Sequence, residues 1–256
     1  MLQAMNDATL HFDAGAYTYM PGVFQYSCGV VASPGWRIER VRFAAPVPLA
    51  EGFARIEAFL AQLGRPLTAL CACELHSPAP FTEGGFKVFN ESYVGTLARW
   101  GIYREGINPV ARANTCPILR PPPEPGFHAF CFTVPAPGAP RSFVISGSGE
   151  APEGKSNYRD HIVARGDTSS DGLRRKAVWV LGEMERRMSA LGGGWQDTTA
   201  VQLYTVHDAY PLLAAELARH GALHNGLTWH LQRPPVVEIE YEMDCRAVHL
   251  EHVLAG

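Results

Sequence analysis

Arg112 stands in the run Asn108-Pro-Val-Ala-Arg-Ala-Asn-Thr-Cys116. A guanidinium offers a planar fork of donors that can hold a carboxylate for chemistry on the adjacent carbon. The plainer alternative is a salt bridge at a sheet edge. Asn114 and Cys116 follow it. Asn90, in the stretch Phe-Asn-Glu-Ser-Tyr93, could orient a substrate or the arginine, or be an ordinary exposed helix residue. Glu124 and His128 lie further along; either could position or activate water for attack on a C=N carbon, or simply belong to a capped Pro-rich turn. Cys28 is either a nucleophilic thiol or a small buried hydrophobe. In Val236–Asp244, alternation puts Glu238, Glu240 and Glu242 on one strand face, lining a second site or facing solvent. Cys71 and Cys73 would share a face near His76, which hints at metal. A closed zinc site wants four ligands and wider cysteine spacing, so no metal is expected. No P-loop and no Ser-His-Asp arrangement is evident.

The elements that carry these residues recur. Pro48–His76 reads as an amphipathic helix, Leu-Gly, a polar turn and a strand ending in His; Val178–His207 repeats that order. Leu63-Gly64 matches Leu191-Gly192, 128 positions apart in a chain of 256 residues. At the second copy Gln202 and Tyr204 replace the two cysteines. Self-similarity at such a period makes two fused units of residues 1–125 and 126–256 the starting hypothesis. In the first, strands are expected over 23–32, 36–45, 67–75 and 108–119, with helices over 49–63 and 86–102. Phe53, Ile56, Phe59, Leu60 and Leu63 mark the apolar face of the first helix. In the second, strands are expected over 127–134, 142–149, 199–206 and 236–244, and helices over 173–191 and 209–221. A polar loop over 148–172 is long enough to be functional or mobile. Each unit is thus α+β, with helices on one face of a mixed sheet.

With these residues, that order resembles the RidA (YjgF) family. The resemblance rests on the Pro109…Arg112 segment, Asn90 and Tyr93 in the second helix, Ser146-Gly147 at a strand end, and Val237-Glu238-Ile239-Glu240 near the C-terminus. It implies two tandem RidA-like (chorismate mutase-like) domains. It also implies that Arg112 holds a substrate carboxylate, that Cys28 stands where the family has a serine, and that Tyr17 or Tyr19 supplies a phenol. Ser146 and Glu238 join Asn90 and Asn114 as expected substrate contacts. There are departures. The second half has Thr228-Trp229 where the arginine belongs and no Asn-x-x-Tyr; the first has Glu124 and His128 where the acidic strand belongs.

The implied chemistry is hydrolytic deamination of an enamine or imine acid, releasing ammonia and a 2-oxo acid without metal or organic cofactor. The resemblance includes 2-aminomuconate deaminases, so an unsaturated dicarboxylate is a reasonable substrate. One alternative is a chorismatase-like hydrolase with Glu238 or Glu240 as acid; another is a metabolite-binding module without catalysis. Two kinds of domain cannot alternate around a three-membered ring, so the expected assembly is a homotrimer of stacked rings, or one that breaks the family's symmetry. A net charge of −3 gives no basic patch for nucleic acid. No apolar run is long enough to span a membrane, and the N-terminus has no leader pattern. The six cysteines suggest reduced thiols in a cytoplasm.

Overall fold

A computed structural model describes residues 8–255; Met1–Asp7, on which the leader expectation partly rests, lie outside the described residues. Helix α1 (Leu49–Gln62) buries Phe53, Ile56 and Leu60, the stripe its spacing predicts. Helix α2 (Glu83–Arg99) is capped by the Thr82 hydroxyl, and α3 (Ser170–Ala190) by that of Ser169, each accepting a backbone N–H three residues on. Helices α1 and α3 end alike. Gly64 and Gly192 take φ of 62° and 75°. The next residues, Arg65 and Gly193, donate to the carbonyls of Leu60 and Met188 at 2.8 Å. The recurring Leu-Gly is therefore a helix stop that needs left-handed backbone. Residues 209–221 form a short α4 (Tyr210–Leu212) that runs into a π-helix (Leu213–Ala218).

Two mixed sheets lie between the helices. One has the order β1 (Leu10–Phe12), β2 (Tyr17–Met20), β3 (Gly29–Ala32), β8 (Phe143–Gly149), β12 (Glu242–Ala247), β9 (Ala200–Tyr204), β10 (Thr228–His230). The other runs β11 (Gln232–Arg233), β6 (Ala111–Pro117), β5 (Leu70–His76), β7 (Gly126–Pro135), β4 (Trp36–Pro48), β13 (Glu251–Leu254). Phe53, Leu60, Tyr93 and Leu97 pack α1 and α2 onto Phe127, Phe130 and Phe132 of the six-stranded sheet. Leu181, Met184 and Met188 pack α3 onto Ile145, Leu203 and Met243 of the other. The opposite faces meet through Tyr17, Val30, Ile38, Cys71, Ala111 and Cys131. The layers thus run helices, sheet, sheet, helices, which is the expected α+β class.

Several expectations are corrected. Strand β7, expected to open the second unit, pairs with β4 and β5 of the six-stranded sheet. The strand expected over 23–32 forms only as β3, which pairs with β8, while β2 and β1 extend that sheet, and the C-terminal β13 pairs with β4. The strand expected over 236–244 starts only at Glu242. Val236 instead bridges Phe81 outside both sheets, and Glu238 sits at φ 73°, left-handed backbone that a strand cannot run through. Cys71 and Cys73 do not share a face: a register shift between Leu70 and Ala72 sends Cys71 between the sheets and Cys73 toward the helices.

Candidate active site

Arg112 pairs with Cys73 across the parallel β5–β6 ladder, and its side chain points to the helix side of the sheet. There it is 2% exposed. The guanidinium carbon lies over the rings of Tyr93 at 4.9 Å and Tyr26 at 5.1 Å, with Phe86 and Phe89 at 5.7 and 5.9 Å. Its terminal nitrogens Nη1 and Nη2 are buried with no hydrogen-bond partner in the protein. Rings can attract a cation face-on, but they accept no conventional hydrogen bond in the guanidinium plane. Arg112 is thus a buried fork of donors waiting for an acceptor.

A small cavity of about 30 Å³ adjoins it, lined on one side by Tyr26, Phe86, Arg112 and Asn114, and on the other by Gly147, Gly149 and Glu242. Both sheets therefore contribute, within one chain. They are locked together beside the cavity by Ser146, whose hydroxyl accepts from the Arg112 N–H at 3.0 Å and donates to the Ser27 carbonyl at 2.6 Å. Behind β8, buried Arg187 donates to the carbonyls of Ser146 and Gly147 at 3.2 and 3.4 Å, and is itself held by Glu183 at 2.7 Å.

Two acids line the cavity, Glu153, which accepts from Tyr26 and Tyr158, and Glu242. Glu242 is 4% exposed. Burial holds its carboxyl well above the usual carboxylate range, and the neighbouring acids Asp244, Glu153 and Glu150 push the same way, while Arg187 opposes them. A neutral carboxyl is a proton donor. Gly147 makes room for it, since a Cβ there would overlap Glu242 Oε1. The segment over 150–167 closes the cavity: Glu153 accepts from the phenols of Tyr26 and Tyr158, and Glu83 accepts the N–H groups of Tyr158 and Arg159. Its root is fixed by buried Glu150, which pairs with Lys176 at 2.8 Å and accepts the N–H groups of Glu240 and Tyr241.

Of the residues singled out by sequence, the structure brings Arg112 and Asn114 to this cavity, and Asn90 lines a neighbouring one that shares Phe86 and Tyr158 with it. Asn114 Oδ1 accepts from Ser77 at 3.0 Å, while its Nδ2 is buried and unpaired. Asn90 is 1% exposed, and both polar atoms of its amide lack partners. Ser146 acts as a strut beneath Arg112. The others lie elsewhere. Tyr17 donates to the Leu70 carbonyl in the core between the sheets, with Tyr19 in the same cluster. Cys28 packs into the α3 core, donates to Pro21, and has its thiol pushed up by burial, so it is no thiolate. Glu124 is in an exposed turn. Glu238 is partly exposed and pairs with Arg159 at 3.0 Å, and Glu240 pairs with His207 and Arg233. His128 follows Phe127, which faces the helices, so alternation turns it to the opposite face. There it stacks on His76 at 4.4 Å in a separate polar cavity containing Arg40 and Glu74. Tyr26, Glu153, Tyr158 and Arg187 carried no motif signal. Glu242 lay in the acidic run, but the irregular backbone before it hid which acid turns inward.

The family profile of 2-aminomuconate deaminase CnbZ matches residues 9–252. The chain is 51% identical over 252 residues to 2-amino-5-chloromuconate deaminase of Comamonas testosteroni, covering 98% of this chain and all of that one. A solved chorismatase structure matches with a TM-score of 0.51 at 11% identity, over 93% of this chain and 78% of that one, a likeness of fold alone. The YjgF gene product of E. coli matches 42% of this chain and 80% of its own, with a TM-score of 0.31 at 15% identity. By the extent of the profile match and of the identity, the chain belongs to the 2-aminomuconate deaminase CnbZ family and is an enzyme of the deaminase kind.

Proposed function

We propose that the protein is a hydrolytic deaminase of an unsaturated 2-amino acid of the aminomuconate type, with Arg112 holding the carboxylate beside the amino-bearing carbon and Glu242 as general acid. The observation that carries this reading is the buried guanidinium of Arg112, whose Nη1 and Nη2 have no protein partner, lining one cavity with the buried carboxyl of Glu242, which burial holds well above the usual carboxylate range. In this reaction the Glu242 proton passes to the far carbon of the enamine as the amino carbon becomes C=N⁺. Water adds to that carbon and its proton returns to Glu242. The carbinolamine then expels ammonia as the carbonyl forms. The balance is enamine plus water giving 2-oxo acid plus ammonia. Arg112 pins the carboxylate and stabilises the charge that builds next to it. The aromatic walls exclude bulk water, which strengthens that interaction.

Both sheets of one chain complete this cavity, so the chemistry needs no neighbouring copy; a homotrimer, which sedimentation would detect, would gather finished sites. The test of function is ammonia release from freshly generated 2-aminomuconate, run beside Arg112→Ala. Arg112-dependent ammonia is expected. Undiminished turnover in the variant would sink the reading.

A further inference from the structure

The cavity at Arg112 is the smaller of two that share walls, and Glu242 lines it together with Arg112. It takes the carboxylate and the amino-bearing end of the substrate, the atoms that Arg112 and Glu242 must both reach, and not the whole of a six-carbon chain. A second cavity of about 490 Å³ shares the walls Phe86 and Tyr158 with it and opens outward. A ligand gripped by Arg112 must run past these two rings into the outer space.

That outer space is built for polar groups. Asn90 lines it, and the Oδ1 and Nδ2 atoms of that buried amide have no partner. Gln25 lines it too, 6% exposed, with its Oε1 unpaired. Buried amide atoms without partners are costly in a folded protein and call for a ligand. Three charged residues stand at the same walls: Glu83, Lys87 and Lys155. Glu83 is engaged by the N–H groups of Tyr158 and Arg159. Lys87 lies 4.0 Å from Glu91. Lys155 makes no ion pair among the described residues, and it sits on the closing segment that also carries Tyr158. One uncommitted cation is thus at the inner end, Arg112, and one at the outer end, Lys155, with orphaned amides near the path between them.

We propose that the outer cavity is the subsite for a second carboxylate, with Lys155 as its counter-charge and Asn90 Nδ2 as a donor to it, so that the enzyme selects dicarboxylates over monocarboxylates of equal length. The selection rests on the deaminase reading above for its substrate, but not for its geometry.

The experiment compares kcat/KM for 2-aminomuconate and for a six-carbon 2-imino monocarboxylate generated in place, in the wild-type enzyme and in Lys155→Ala. The preference for the dicarboxylate should fall about tenfold in Lys155→Ala, through KM and not kcat, the weight of one exposed charge-assisted hydrogen bond. Lys155→Arg should recover most of it. An unchanged preference, or an equal loss on both substrates, overturns the subsite. If neither substrate yields ammonia, the deaminase reading fails on its own. Calorimetric binding of muconate, a dicarboxylate without the amino group, then decides the subsite. Weaker binding in Lys155→Ala than in the wild type supports it, and equal binding or none in both refutes it.

Discussion

Replacing Arg112 with Met should make the protein more stable and nearly inactive at once. The methionine side chain is apolar, unbranched and of similar reach, so it can fill the channel between Tyr26 and the aromatic face of α2. Removing an uncompensated ion from a dry site relieves a penalty of several kcal/mol. Four rings lie 4.9 to 5.9 Å from the guanidinium carbon; such contacts offset roughly 2 kcal/mol of that penalty. The net gain for Met is then about 1–3 kcal/mol. At about 2–4 °C per kcal/mol for a chain of this size, Tm should rise by roughly 2–12 °C. Two charge-assisted hydrogen bonds to the substrate carboxylate contribute about 3–6 kcal/mol together. At 1.36 kcal/mol per decade, kcat/KM should fall by about 10²–10⁴. Differential scanning fluorimetry and ammonia release measure the two effects on one preparation. Muconate should raise the Tm of the wild type and leave that of the variant unmoved. A variant that melts several degrees lower while keeping most of its activity would show that the guanidinium is a structural tie, and the reasoning would be wrong.

Glu242→Gln should lower kcat by about 10²–10⁴ with little change in KM, the usual weight of a general acid; an unaffected kcat removes Glu242 from the chemistry. The Glu242 carboxyl is held well above its ordinary range, and that of Asp244 is raised to about 7, both chiefly by burial. The folded state therefore keeps protons that the unfolded chain loses near pH 4 to 4.5. This contribution is fully present below that pH and is lost as pH rises through 7, so wild-type stability should decline across that window. The double variant Glu242→Gln, Asp244→Asn should flatten this decline, and chemical denaturation at pH 5 and pH 8 would reveal a slope that persists. Gly147→Ala should push the Glu242 carboxyl aside and cut kcat/KM at least tenfold with the Tm changed little; full activity would deny the close approach. Ser146→Ala should cost about 1–3 kcal/mol, because it strips a partner from both the Arg112 N–H and the Ser27 carbonyl; an unchanged denaturation midpoint would deny the strut.

Helix patterning was legible in the sequence because it is local. Phe53, Ile56 and Leu60 declare a buried stripe by spacing, and Leu-Gly declares a helix stop that recurs in α1 and α3. The sheets were legible only as a class. Strand β7 follows directly on β6, yet which sheet receives it depends on Phe127, Phe130 and Phe132 fitting against α1 and α2, a long-range preference with no local mark. Within the site, Arg112 stood out because the Pro109–Arg112 segment carries the resemblance and a guanidinium fork suits a carboxylate. Tyr26 and Glu153 did not, since their meeting joins residues 127 positions apart. Glu238 was preferred to Glu242 because the Val237–Glu240 segment carried the resemblance, and nothing local marked the left-handed backbone at Glu238 that breaks the alternation.

The two sequence departures from the RidA pattern now explain each other. The first half has the arginine but no acid on a closing strand; the second has the acid but no arginine. Read as separate sites, each half is defective. The fold lays β6 against β8 so that the Arg112 backbone is bonded to Ser146, and β12 lies next to β8 in the same sheet. That register brings Arg112 of one half and Glu242 of the other to a single cavity. On the proposed function these two make one composite site, and a second arginine or a second acid would then be a buried charge without a partner, several kcal/mol of penalty for no chemistry. The other half-site positions are free to take other roles, as His76 and His128 do in stacking against each other on the opposite face of the sheet.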